Sequence, residues 1–110
     1  AQLVGKGKAF EMITTAQMIS AQEAYQYHLV NYVTSPEELL NKAKDIATKI
    51  SRNSPTAIAS AIRSINAGYK AGVNGFEVEI EEFGKCFGTP DFIEGTTAFV
   101  EKRKPEFKGE

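Results

Sequence analysis

Apolar residues recur every three to four positions along most of this chain, with polar residues between them, and that period predicts helices. The clearest stripe lies in SPEELLNKAKDIATKIS, where Leu39, Leu40, Ala43, Ile46, Ala47 and Ile50 share one face. Ser35 stands three residues before Glu38 with Pro36 between them, a capping box with proline at the first helical position. The next helix starts at Ser54-Pro55 and carries Ile58, Ala61, Ile62, Ile65 and Tyr69 on one side, until Gly72 and Asn74-Gly75 break it. A third carries Phe76, Ile80, Phe83 and Phe87, with Glu77, Glu79, Glu81 and Glu82 opposite as a solvated face. Thr89-Pro90-Asp91 ends that helix and caps a last one, which runs from about Pro90 toward Lys104 and is stopped by Pro105.

The first third is choppier. A helix from about Val4 to Thr14 is expected, with Phe10 and Ile13 inward. Ser20 and Glu23 form a second capping box for a short helix in SAQEAYQYH. LVNYV, residues 29–33, alternates like a short strand. His28 stands where a helix end favours glycine, so a left-handed cap is its expected role. The pattern is all-α, with five to six helices and at most one short strand. The 110 residues fit a single domain, with no repeat and no linker long enough to divide it.

Composition narrows the function. The net charge is −1, which gives no global pull toward nucleic acid or an anionic membrane. No apolar run approaches the roughly 18 residues of a membrane span. The chain opens AQLVGKGKAF, without Met, which suggests a processed or excised piece. The single Cys86 permits no internal disulfide and suits a reducing compartment, so a cytoplasmic location is expected. One Cys and one His make no ordinary four-ligand zinc site, and no metal is expected.

Catalytic candidates are few. Ser20, Ser35 and Ser54 read better as helix caps than as nucleophiles. Cys86 has no positioned base, although Lys85 adjoins it. VGKGKAF matches neither glycine-rich phosphate motif. The basic knot Lys102-Arg103-Lys104 falls on the last helical turn, where cations complement the dipole. Residues 101–110 hold four basic and three acidic groups, too even a balance for a polyanion arm. That balance suits one or two phosphates. Phe83, Phe87 and Phe99 recur nearby, and an aromatic beside a cation suits a phosphorylated, ring-bearing ligand.

Several stretches, taken in order, resemble the C-terminal part of the crotonase superfamily, the enoyl-CoA hydratases and isomerases. They are LVGKGKAFEMITT, ISAQEAYQYHLVNYV, SPEELLNKAKDIATKIS, NSPTAIASAIRSIN and FGTPDFIEGTTAFVEKRKPEFKG. The segment from Glu94 to Lys108 is the most specific. The resemblance implies that a catalytic β-β-α spiral, with two glutamates and an oxyanion hole, lies upstream of residue 1. It therefore implies no catalytic residue within 1–110. It implies a C-terminal helical region that packs trimers, or a dimer of trimers, and roofs an acyl-CoA site. Acyl-CoA is then substrate, and no resident cofactor is implied. The CoA-contacting residues it implies are Phe83, Phe99 and Lys102, with Phe99 and Lys102 sharing a helix face through their spacing of three. Ala16 and His28 stand where the family usually has glycine. The competing readings are a self-contained helical interaction module, which an exposed Phe stripe would serve, and a small nucleic-acid binder, which the charge balance disfavours.

Overall fold

The computed structural model describes all 110 residues, 1–110, and contains six helices and no strand. They are α1 (Lys6–Thr15), α2 (Ala21–Gln26), α3 (Pro36–Ile50), α4 (Pro55–Gly68), α5 (Gly75–Cys86) and α6 (Pro90–Glu101). The chain forms two compact units, residues 1–43 and 44–110.

In residues 1–43, helix starts and stops follow local chemistry. The Ser20 hydroxyl accepts from the Glu23 amide at 3.2 Å, and the Glu23 carboxylate accepts from the Ser20 amide at 2.8 Å. Both halves of the expected capping box are therefore present. At Ser35 the structure shows the first half, with the Glu38 amide donating to Ser35 Oγ at 3.3 Å. His28 adopts φ 58°, the left-handed cap expected of it. The Leu29 amide then reaches back to the Ala24 carbonyl at 2.8 Å, and the His28 amide to that of Tyr25 at 3.0 Å. That pair of bonds is a Schellman turn, which satisfies carbonyls left open at the helix end. Ala16 closes α1 in the same left-handed region, at φ 51°. Lys8 lies over the Tyr27 ring, 4.8 Å from its centroid.

Two expectations for this unit are corrected. Residues 29–33 form no strand. Their alternation supplies side chains suited to a sheet, but no second strand exists to complete a ladder, and a strand without a partner gains no hydrogen bonds. Phe10 and Ile13 are not inward: they are 58% and 78% exposed.

In residues 44–110, α4 and α5 form an antiparallel hairpin. The two helices pass closely at Gly75, where an added Cβ would meet the Gly68 Cα at 2.8 Å. The buried positions on α4 are small, Ser60 and Ala67, and opposite them α5 buries Glu82. Glu82 corrects the reading of a solvated acidic face. Arg63 Nε donates to its carboxylate at 2.8 Å and Lys85 Nζ donates at 2.8 Å. Arg63 also donates to Ser60 Oγ at 2.9 Å. A buried carboxylate needs such partners, because removing it from water without them is costly. Arg63 and then Lys85, with Ser60 assisting, hold the Glu82 carboxyl down at about 2.

The large apolar side chains of both helices remain open. Ile62, Ile65, Phe76, Ile80 and Phe83 are each more than half exposed. The buried hydrophobic residues of the whole chain are three alanines, Ala9, Ala67 and Ala98. The apolar stripes thus lie where the sequence period puts them, but the side chains on them are not covered within these 110 residues.

Candidate functional site

The site is assembled by the end of α5 and by α6. Phe83 meets Phe87 edge-on at 5.0 Å between ring centroids, and Phe87 meets Phe92 at 4.7 Å. The first is an edge-to-face contact, which suits the ring quadrupoles, and the second is tilted by 46°. The three rings lead from α5 into the first turn of α6. Phe83 and Phe92 border an open, mostly apolar hollow of about 770 Å³, together with Ile65, Ile80 and Cys86. Phe99 and Lys102 are not among its lining residues. Phe99 projects from the second half of α6 and is 85% exposed.

α6 starts as its residues dictate. Thr89 Oγ1 accepts from the Phe92 amide at 3.1 Å, and Pro90 occupies the first turn. Its end differs from expectation. The helix stops at Glu101, so Lys102, Arg103 and Lys104 do not form its last turn. Lys102 is the left-handed cap, at φ 56° and ψ 33°. The Arg103 amide bonds to the Ala98 carbonyl at 3.0 Å and the Lys102 amide to that of Phe99 at 3.3 Å, a second Schellman turn. Lys102 and Phe99 are therefore tied through the backbone at the helix end, not by a shared helical face.

The basic knot divides in two. The Arg103 guanidinium grips Glu94 with its two terminal nitrogens, at 2.6 and 2.8 Å, and its Nε donates to Glu101 at 2.7 Å. This forked geometry is the strong form of a charge-assisted bond. Arg103, and then the Glu106 amide at 2.7 Å, hold the Glu94 carboxyl down at about 2. Glu94 and Glu101 in turn push the Arg103 guanidinium further up. Lys102, by contrast, makes no side-chain hydrogen bond or ion pair and is exposed. An ammonium in that state is available to an anionic ligand; the neighbouring guanidinium is already used.

Sequence reasoning missed a second acidic node. Asp91 is 3% exposed. It accepts from the Ser54 hydroxyl at 2.7 Å, and from the Lys108 and Gly109 amides at 2.9 and 3.2 Å. Burial pushes its carboxyl up, but these donors more than offset that and leave it below its ordinary value. Ser54 is a cap, as expected, accepting from the Ala57 amide at 3.2 Å. Its own hydroxyl donates to Asp91. The sequence signal was only Asp91 in the first turn of α6, a position that ordinarily complements the dipole.

The family model for enoyl-CoA hydratase/isomerase matches residues 1–110. The chain belongs to the enoyl-CoA hydratase/isomerase family. A short-chain-enoyl-CoA hydratase of Clostridium acetobutylicum is 46% identical over 96% of the chain and 41% of that protein. A crotonyl-CoA hydratase of Syntrophomonas wolfei is 41% identical over the same shares. Among solved structures, an enoyl-CoA hydratase from Bacillus anthracis superposes with a TM-score of 0.91 at 41% identity. That alignment covers 99% of this chain and 43% of the other. The chain thus spans about two fifths of the length of these family members. The all-α architecture expected from the resemblance agrees with the six helices. No helix is long and apolar enough to cross a membrane, and no cluster of His, Cys, Asp or Glu is arranged to hold a metal ion.

Proposed function

We propose that this chain is the C-terminal part of an enzyme of its family that acts on acyl-CoA thioesters, with hydration of a 2-trans-enoyl-CoA the favoured reaction. In that reading residues 1–110 supply contacts between subunits and one wall of the CoA site. The catalytic groups belong to the remaining portion of the enzyme. The observation that carries the CoA assignment is the pairing of an exposed aromatic, Phe99, with an ion-pair-free ammonium, Lys102, at one helix end. Their chemistry fits the two ends of a nucleotide: a ring face for adenine, and a compact cation for phosphate. Phe83, on the rim of the apolar hollow, fits the less polar part of the same ligand.

The exposed apolar stripes of α4 and α5 support the contact role. Monomers rarely leave large apolar patches uncovered, and such patches mark interfaces. The two relatives named as hydratases support the choice of hydration over other reactions of the family.

The test is Lys102→Glu in the full-length enzyme, with crotonyl-CoA as substrate. Reversing one exposed charge beside a phosphate is expected to raise KM about fivefold to tenfold, with kcat within about twofold. An unchanged KM would remove Lys102 from the site.

A further inference from the structure

Residues 103–110 run back along α6 as a strap. Its near end is fixed by the Arg103 fork on Glu94, and the Glu106 amide bonds to the same carboxylate. Phe107 lies against Gly95, where an added Cβ would meet its ring at 3.3 Å. Its far end is fixed by the Lys108 and Gly109 amides on Asp91. Lys102 is the joint between helix and strap. It holds a left-handed conformation that costs a residue with a Cβ roughly 1–2 kcal/mol. Such residues persist where their surroundings over-determine them, and they gather at ligand clamps. Ala16 and His28 are also left-handed, but no charged side chain anchors the residue that follows either of them. After Lys102, the next residue makes three charge-assisted bonds.

We infer that Glu94 and Arg103 are positioning residues for the CoA site: their forked pair anchors the strap and thereby holds Lys102 in its left-handed turn with its ammonium unpaired. This rests on the reading of Lys102 as a CoA contact. It also assigns the more basic residue of the knot, Arg103, to a role with no ligand contact.

Charge and position give opposite expectations at Glu94. Glu94→Gln removes a negative charge near the ligand's phosphates, so a purely electrostatic role makes CoA binding tighter. A positioning role makes it weaker, because the strap loosens and Lys102 leaves its turn. In the full-length enzyme with crotonyl-CoA, Glu94→Gln is expected to raise KM about threefold, the share of one exposed ion contact. The kcat should stay within about twofold, and amide exchange at Glu106 should accelerate. Arg103→Lys keeps the charge and loses the fork, so it should move KM the same way and serves if Glu94→Gln does not fold. A lowered or unchanged KM in the folded variants overturns the inference, even if melting temperature falls. Lys102→Glu, measured alongside, separates the two levels. If it leaves KM unchanged, the CoA reading itself fails. If it raises KM while the Glu94 and Arg103 variants do not, only the positioning role fails.

Discussion

Gly75→Ala tests the geometry that brings α4 and α5 together and so builds the hollow beside Phe83. The new Cβ would lie 2.8 Å from the Gly68 Cα and 3.0 Å from the Gly68 nitrogen, both backbone atoms. Carbon pairs pack best at about 3.5–4.0 Å. The helices must therefore separate by roughly 0.7 Å at this point, the difference between 3.5 and 2.8 Å. Overpacking of this kind costs about 1–3 kcal/mol. Alanine's better helix propensity returns at most about 1 kcal/mol, less at a first-turn position. The net expectation is a loss of about 1–2 kcal/mol. Gly84→Ala is the control. It lies inside α5 with nothing within 4 Å of the new Cβ, so propensity alone should stabilise it by about 0.5–1 kcal/mol. Urea unfolding followed by circular dichroism reads both. If Gly75→Ala proves as stable as the parent, or both substitutions shift stability the same way, the close crossing at Gly68 is not what limits position 75.

Two further outcomes follow from the caps and the buried carboxylates. Lys102→Gly relieves a left-handed residue and should stabilise the protein by about 1 kcal/mol in urea while weakening CoA binding, whereas His28→Gly should stabilise without touching CoA affinity; stability unchanged in both would contradict the strain argument. Glu82 and Glu94 titrate at about 2 in the fold against an ordinary 4.5. Their contribution is therefore present above about 4.5 and lost as pH falls toward 2. Amide exchange at Glu106 and thermal melts should show loss of protection and stability through that window, and a flat profile from pH 5 to 2.5 would refute the pairing.

Much of the helical layout was legible because it is local. Ser20, Ser54 and Thr89 announce their helices through hydroxyls that reach amides three residues on, and His28 announces a left-handed cap by standing at a helix end. What escaped notice depends on distant partners. Glu82 looked solvated because the residue that buries it, Arg63, lies nineteen positions earlier on another helix. Asp91 and Glu94 show nothing unusual in the sequence, because their partners in the strap stand nine to eighteen positions later and Ser54, which also donates to Asp91, stands thirty-seven positions earlier. α6 ends at Glu101, three residues short of Lys104, because Pro105 disfavours helix just before it without fixing how far before the helix must stop. Lys102 took the left-handed turn instead. The assignment of Phe83, Phe99 and Lys102 to CoA is implied by family resemblance and is proposed on that ground. The structure contributes a distinction that resemblance lacks: Lys102 is unpaired and Arg103 is not.

Contact between Lys102 and a phosphate of CoA is tested by comparing two thioesters. The affinities of the full-length enzyme and of its Lys102→Glu variant are measured for an acyl-CoA and for the matching acyl-pantetheine, which carries no phosphate. A loss of about fivefold to tenfold is expected for the acyl-CoA and less than about twofold for the acyl-pantetheine. Equal losses for both ligands, or none for either, would contradict it.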